Sequence, residues 1–214
     1  WTLIGLLFLL LVAASVVVFL TVRPKKPRTK KVAVVVLGDI GRSPRMTNHA
    51  LSLADDGWSV DLIGYAESTP SQRLLNHPQI RILPVSAGWK LPKRPKILYL
   101  ILAPLAALTR AINLALLIMR SGRRGVILVQ NPPSIPTLAI ARLTSWIWDG
   151  AALVIDWHNL GYSIMETTGA PKSMIAVARW YERAFGRLAD GHLAVCQAMA
   201  RELSTLRWGL ARRR

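Results

Sequence analysis

The chain has 214 residues, 52% of them hydrophobic, and it carries a formal net charge of +17 with a sequence pI of about 11.3. This content is enough for one packed domain with or without an appendage, and the charge indicates an acidic partner: nucleic acid, an anionic membrane or a phosphorylated substrate. The single cysteine, Cys196, excludes a disulfide within the chain and is typical of a core thiol in a reducing compartment.

The N-terminal segment, residues 1–22, contains no charged side chain and is long enough as a helix to cross a bilayer. The apolar run exceeds that of a cleaved signal peptide, so we expect a retained transmembrane anchor. The linker 23–31 carries six basic residues and two prolines, which favour an extended chain. The positive-inside rule then predicts a lumenal N-terminus and a cytosolic remainder of the chain.

Strand-like and helix-like runs alternate after this linker. The predicted strands are 31–38, 58–65, 79–85, 125–134 (which runs into a turn), 151–159 and 192–196, and the predicted helices are 44–57, 95–122, 136–150, 172–191 and 197–206. The alternation predicts one α/β domain over residues 32–206, a Rossmann-like parallel sheet with helices on both faces.

The turn GDIGRSPR, residues 38–45, connects the first strand to the first helix. Ser43 is a favourable N-cap and Pro44 a favourable first helical residue, while the two glycines permit positive φ or a close backbone approach. The helix N–H groups and the two arginines would attract an anion, although a purely structural turn explains the residues equally well. The candidate anion-binding residues are Gly38, Gly41, Arg42, Ser43 and Arg45. The spacing matches neither a dinucleotide-binding fingerprint nor a P-loop.

Polar residues also follow the fourth and fifth strands, at the edge of a parallel sheet where ligands bind. A histidine at the end of a strand can act as a general base or bind a sugar hydroxyl. For His158 we favour this over a histidine bonded to loop backbone, because its neighbours are polar. The candidate ligand-binding residues around it are Gln130, Asn131, Asp156, Asn159, Tyr162 and Ser163.

The other titratable residues favour structural roles. His49 is predicted to be structural or exposed on its helix, and His77 and His192 lie at the edges of elements. Glu182 is predicted to be a helix-surface carboxylate paired with Arg179 or Arg183. No spacing of His, Cys and Asp indicates a metal site.

Four segments together resemble the eukaryotic chitobiosyldiphosphodolichol β-mannosyltransferase family, over roughly residues 31–210: VVVLGDIGRSPRM, VILVQNPPS, VIDWHNLGYSIM and WYERAFGRLADGHLAV. The resemblance implies the GT-B fold, in which two Rossmann-like domains face a cleft. It implies a single-pass protein of the endoplasmic reticulum membrane with a cytosolic catalytic part. The implied reaction, for which no cofactor is expected, transfers mannose from GDP-mannose to GlcNAc₂-diphosphate-dolichol with inversion.

The resemblance gives these features a common explanation. The turn 38–45 would hold the acceptor's diphosphate, and the apolar helix 97–119 would lie at the membrane, with a buried core helix as the alternative. In the family the donor nucleotide binds mainly to a C-terminal domain, whose linker should begin at about residues 207–214. We therefore expect a truncated form that contains the acceptor-binding half.

A non-catalytic membrane-anchored paralogue is the alternative; it would bind lipid-linked sugar or other glycosyltransferases of the pathway. Nucleic-acid binding is disfavoured, because the basic residues are dispersed and no nucleic-acid motif appears.

An inverting transfer needs a base that removes the proton of the acceptor hydroxyl, and the candidates are Asp39, Asp156, His158 and Glu182. We place His158 ahead of Asp39, because an imidazole titrates nearer the working pH than a carboxylate does. Asp156 is expected to orient a neighbour or cap backbone N–H groups. Glu182 is expected to face outward or to brace a loop.

Overall fold

The protein is described by a computed structural model that covers residues 29–86 and 109–204. Six strands form one fully parallel sheet in the order β3-β2-β1-β4-β5-β6. The strands are β1 (Lys31–Asp39), β2 (Ser59–Tyr65), β3 (Ile80–Pro84), β4 (Val126–Asn131), β5 (Ala152–Trp157) and β6 (Gly191–Ala194). All six predicted strands are confirmed, with ends that differ by at most three residues.

Helices connect the strands. They are α1 (Pro44–Asp55), α2 (Gln72–Leu75), α3 (109–120), α4 (Thr137–Thr144), α5 (Gly161–Thr167), α6 (Lys172–Leu188) and α7 (Gln197–Ser204). A 3₁₀ turn, Ile40–Arg42, precedes α1, and a π-helical segment, Ser145–Asp149, extends α4. The sequence did not predict α2, α5 or the 3₁₀ turn, because each is too short to show a helical period.

The two faces of the sheet pack against different helices, as predicted. Alternate residues of a strand point to opposite faces, and the β-branched run of β1 supplies buried side chains to both. On one face Ala33 and Val35 pack with α3, α4 and α6. On the other face Val32 and Val34 pack against α1.

Several predicted segments fall outside the described residues. These are the anchor 1–22, most of the linker 23–31, the first part of helix 95–122 and the segment 207–214. Across residues 29–86 and 109–204, no helix is both long and apolar enough to cross a membrane. The described part of helix 95–122 packs Leu114 and Ile118 into the core, which supports a core helix for that part.

The strand order places a crevice at the carboxyl edge of the sheet. The chain reverses direction across the sheet between β1 and β4, and ligands of open parallel sheets bind at such a switch point. In the β4–β5 ladder Gln130 lies beside Asp156 and Asn131 beside Trp157. The polar ends of β1, β4 and β5 therefore meet at one edge.

Candidate active site

Asp156 is the centre of a polar cluster at the end of β5, and its side chain is fully buried. Arg45 donates from Nε to Oδ2 at 2.8 Å and from Nη2 to Oδ1 at 2.6 Å, so the pair is bidentate. Two imidazoles contact the same Oδ2: Nε2 of His158 lies 2.9 Å away and Nε2 of His49 lies 3.1 Å away. One buried carboxylate thus holds a guanidinium and two imidazoles.

The cluster fixes the charge of Asp156. Burial raises the pKa of this carboxyl group, but hydrogen bonds from His49, Arg45 and His158 outweigh that effect and hold the pKa well below its usual range. The same contact raises the pKa of Arg45. The carboxylate is therefore ionised at neutral pH and can stabilise a positive charge on either imidazole.

Helix α1 supplies two members of the cluster. Arg45 and His49 are four residues apart, so their side chains lie on the same face of α1, one turn from each other. The prediction of a structural or surface role for His49 missed its contact with Asp156. The i, i+4 spacing from Arg45 was the available signal.

Asp39 closes the turn after β1. Its Oδ1 accepts from the backbone N–H groups of Gly41, Glu67 and Ser68, at 3.4, 3.2 and 3.1 Å, and its Oδ2 accepts from the Ser68 hydroxyl. The hydrogen bond from the Ser68 hydroxyl, assisted by the backbone donors, lowers the pKa of Asp39. A carboxylate held by four donors is a weak base, which favours a structural role for this residue.

The two glycines of the turn differ. A Cβ on Gly41 would lie 3.0 Å from the Ser68 carbonyl oxygen and 3.2 Å from that of Thr69, which confirms the predicted close approach. At Gly38 the nearest atom would be 3.9 Å away, and neither residue has a positive φ. The structure therefore does not use the conformational freedom of glycine at position 38.

Ser43 and Arg42, two further residues of the turn, contact different partners. Ser43 occupies the N-cap position, but its side chain makes no capping hydrogen bond; its hydroxyl donates to Oε1 of Gln130 at 3.2 Å. The predicted N-cap position of Ser43 is confirmed, but its hydroxyl links the β1 turn to the end of β4 and does not cap α1. The side chain of Arg42 is 82% exposed and contacts Asp39 only at 3.5 Å, so it can reach a ligand.

The loop after β5 is attached to β4. The backbone N–H groups of His158 and Asn159 donate to the Asn131 carbonyl at 2.9 and 3.4 Å. The Asn131 side chain donates to the Asn159 carbonyl at 3.3 Å and to Oε1 of Glu182 at 3.0 Å. The Oδ1 of Asn159 accepts from the N–H of Leu160 at 3.0 Å, so this side chain supports its own loop.

Glu182 is fully buried in α6, so the prediction of a helix-surface carboxylate is wrong, whereas the bracing of a loop is confirmed. Arg179 pairs with Glu166 instead and lies 4.7 Å over the ring of Tyr162. Tyr162 is buried in the core, and burial raises the pKa of its hydroxyl. Ser163 is half-buried in the first turn of α5.

The structure thus brings Arg45, His49, Asp156 and His158 into direct contact. Ser43 and Gln130 lie at the same edge of the sheet. Within the described part of the chain, no group of three or more His, Cys, Asp or Glu side chains is placed to hold a metal ion.

Comparison with known proteins agrees with this architecture. The family described as "Glycosyl transferase 4-like domain" matches residues 41–214. Mouse chitobiosyldiphosphodolichol beta-mannosyltransferase is 42% identical over 178 residues, which are 83% of this chain and 36% of the mouse protein. The human protein of the same name is 39% identical over 176 residues, 82% of this chain and 37% of its own length.

A plant relative carries a different name. The Arabidopsis thaliana protein named UDP-glycosyltransferase TURAN is 40% identical over 183 residues, 84% of this chain and 39% of the plant protein. The chain therefore spans well under half the length of these curated relatives.

Proposed function

This chain belongs to the glycosyl transferase 4-like domain family, and we propose that it is the acceptor-binding half of an inverting β-mannosyltransferase. The proposed reaction adds the first β-1,4-linked mannose from GDP-mannose to GlcNAc₂-diphosphate-dolichol, in the synthesis of the N-glycan precursor. Relatives named chitobiosyldiphosphodolichol beta-mannosyltransferase support it. The single observation that carries the catalytic part is the Asp156 cluster at the switch point of the sheet.

His158 is the proposed general base. When Nε2–H donates to Asp156, the other ring nitrogen, Nδ1, carries the lone pair that can take a proton. That proton comes from the acceptor hydroxyl as its oxygen attacks the anomeric carbon of the donor sugar and the nucleoside diphosphate leaves. The ionised Asp156 stabilises the imidazolium that forms, in the manner of a carboxylate–histidine pair. His49 makes the same contact and is the alternative base.

The acceptor's diphosphate is proposed to bind at the turn after β1. Arg42 is exposed there, next to the N-terminal N–H groups of α1, which favour an anion. Arg45 is already paired with Asp156, and its side chain is 34% exposed. Only the exposed part of its guanidinium is therefore proposed to contact the diphosphate. The anionic acceptor also fits a chain of net charge +17.

The donor is proposed to bind mainly to a second domain, because the curated relatives are more than twice as long as the matched region. GDP-mannose is the proposed donor. A UDP-sugar is the alternative, since one relative is named a UDP-glycosyltransferase.

We also propose anchoring in the endoplasmic reticulum membrane through residues 1–22, with other glycosyltransferases of the pathway as candidate partners.

A transfer assay with the full-length natural protein tests this function. The protein is incubated with a GlcNAc₂-diphosphate-polyprenol and, separately, with GDP-mannose and with UDP-sugars. Transfer from GDP-mannose is expected. Transfer from a UDP-sugar alone would contradict the donor assignment. Acceptor binding without any transfer would favour the non-catalytic module.

A further inference from the structure

Glu182 is a fully buried carboxylic acid side chain that the proposed chemistry does not use. Glutamate is rarely buried to this degree unless its carboxylate is paired with another group. Here a single oxygen, Oε1, accepts two hydrogen bonds: from the backbone N–H of Gly161 at 2.8 Å and from Nδ2 of Asn131 at 3.0 Å. Both partners lie at the carboxyl edge of the sheet, so the carboxylate reaches the site from the middle of α6.

These two contacts fix the loop that carries His158. At its start, the backbone carbonyl of Asn131 accepts from the N–H of His158 at 2.9 Å. At its end, the N–H of Gly161 binds Glu182 directly. Glu182 therefore holds both the β4 residue that anchors the start of the loop and the residue that ends it.

The packing around Gly161 leaves no room for a side chain at this position. A Cβ at this position would lie 2.8 Å from Oε1 of Glu182 and 3.3 Å from Oγ of Ser134. Glycine allows the backbone N–H to approach the carboxylate this closely. The contact can therefore be broken from either side, by changing Glu182 or by adding a methyl group at Gly161.

We propose that Glu182 is a positioning residue for His158: through Gly161 and Asn131 it keeps the imidazole within hydrogen-bonding distance of Asp156. The inference rests on the proposed function, in which His158 is the base. A misplacement of about 1 Å at a catalytic group can cost about 100-fold in rate, so a brace of this kind has a measurable effect.

Two substitutions of nearly the same size test the proposal. Glu182→Gln keeps the acceptor Oε1, whereas Glu182→Met fills a similar volume and removes it. Glu182→Gln replaces Oε2 with an amide, and Oε2 has no hydrogen-bond partner among the described residues. In the full-length natural protein, kcat, both KM values and amide hydrogen exchange of residues 158–161 are measured.

Glu182→Met is expected to lose about 100-fold in kcat, with the donor KM unchanged and with faster exchange confined to residues 158–161. Glu182→Gln is expected to keep most of the wild-type kcat and the slow exchange. If Glu182→Met does not fold, Gly161→Ala replaces it and should give the same pattern.

Three results would overturn the proposal. The first is a folded Glu182→Met or Gly161→Ala protein with wild-type kcat and exchange. The second is a loss of kcat in Glu182→Gln equal to that in Glu182→Met. The third is an exchange increase spread over the whole sheet, since that would mark a general stabilising role. If the wild type transfers no sugar, the proposed function fails, and the exchange of residues 158–161 still decides whether Glu182 holds the loop.

Discussion

Arg45 and Asp156 lie 111 residues apart in the chain and form a two-point ion pair, with N–O distances of 2.8 and 2.6 Å. The pair joins the first turn of α1 to the end of β5, across the switch point of the sheet. Because His49 and His158 contact the same carboxylate, the pair also determines where both imidazoles lie. Its removal should affect both stability and chemistry.

Asp156→Asn is expected to destabilise the protein by about 1.5–3 kcal/mol, because it removes the charge from a fully buried carboxylate that accepts charge-assisted hydrogen bonds, while Arg45, whose side chain is 34% exposed, stays partly hydrated. The free energy of unfolding is measured by urea denaturation. Asp55→Asn is the matched control. Asp55 also contacts an arginine and a histidine, Arg73 and His77, but its side chain is 50% exposed. The control should cost less than about 1 kcal/mol.

Equal losses in the two variants would contradict the interpretation. They would mean that the buried cluster contributes no more to stability than a solvent-exposed one.

His192 gives the protein a pH dependence of stability. Burial lowers the pKa of His192 below its ordinary value of 6.5, and its Nδ1 accepts a hydrogen bond from Nε1 of Trp157 at 3.1 Å. The unfolded chain then binds the proton more tightly than the folded protein does. The contribution of neutral His192 to the free energy of unfolding is fully present above pH 6.5. It decreases as the pH falls from 6.5 toward the pKa of His192 in the folded protein.

His192→Gln should therefore flatten the decline in unfolding free energy as the pH falls from neutral through 6.5. The comparison uses urea denaturation of both proteins at a series of pH values. A wild-type curve and a His192→Gln curve that run parallel over this range would argue against the assignment.

The two glycines of the β1 turn should respond differently to alanine. Gly41→Ala is expected to destabilise the protein by about 1–3 kcal/mol, because its methyl group would press on the carbonyls of Ser68 and Thr69. Gly38→Ala is the control, since its methyl group would meet no atom closer than 3.9 Å. Thermal unfolding of both variants checks the difference, and a Gly38→Ala protein as unstable as Gly41→Ala would disprove it.

Arg42→Ala is expected to raise the acceptor KM and to leave the donor KM unchanged. One lost charge-assisted contact to the diphosphate should cost about 1.5–3 kcal/mol of acceptor binding. Steady-state kinetics of the full-length natural protein provide the measurement. Arg73→Ala is the control, because Arg73 is a comparably exposed arginine that pairs with Asp55, the last residue of α1, at the opposite end of that helix from the turn.

An unchanged acceptor KM in Arg42→Ala, or an equal rise in both variants, would move the diphosphate site away from the turn.

The fold was largely predictable from local patterns. β-Branched runs such as 31–38 indicated strands buried on both faces, and the alternation with helices indicated a parallel sheet. The strand order was not predictable in the same way, because it depends on contacts between residues far apart in the chain. The position of the switch point between β1 and β4 therefore needed the structure.

The site was predicted only in part. Asp156 and His158 were found because they lie at the carboxyl end of a strand, whereas the contact of His49 joins two residues 107 positions apart in the chain. The position of Glu182 on the helix surface was predicted wrongly for a different reason. Ala178, Glu182 and Gly186 are spaced four residues apart, and all three are buried against the sheet. The two small residues mark the buried stripe of α6, but the charge of Glu182 favoured the opposite face.

The most direct test of the account is the single-turnover rate of mannosyl transfer in His158→Gln, with His49→Gln and Asp39→Asn beside it and with folding verified. His158→Gln is predicted to lose roughly 10²–10⁴-fold in rate, the usual share of general-base catalysis. Asp39→Asn should retain most of its rate, because Asp39 is held by four hydrogen-bond donors in the turn. A near-wild-type rate in His158→Gln would contradict the account, and a matching loss in His49→Gln alone would assign the base to α1.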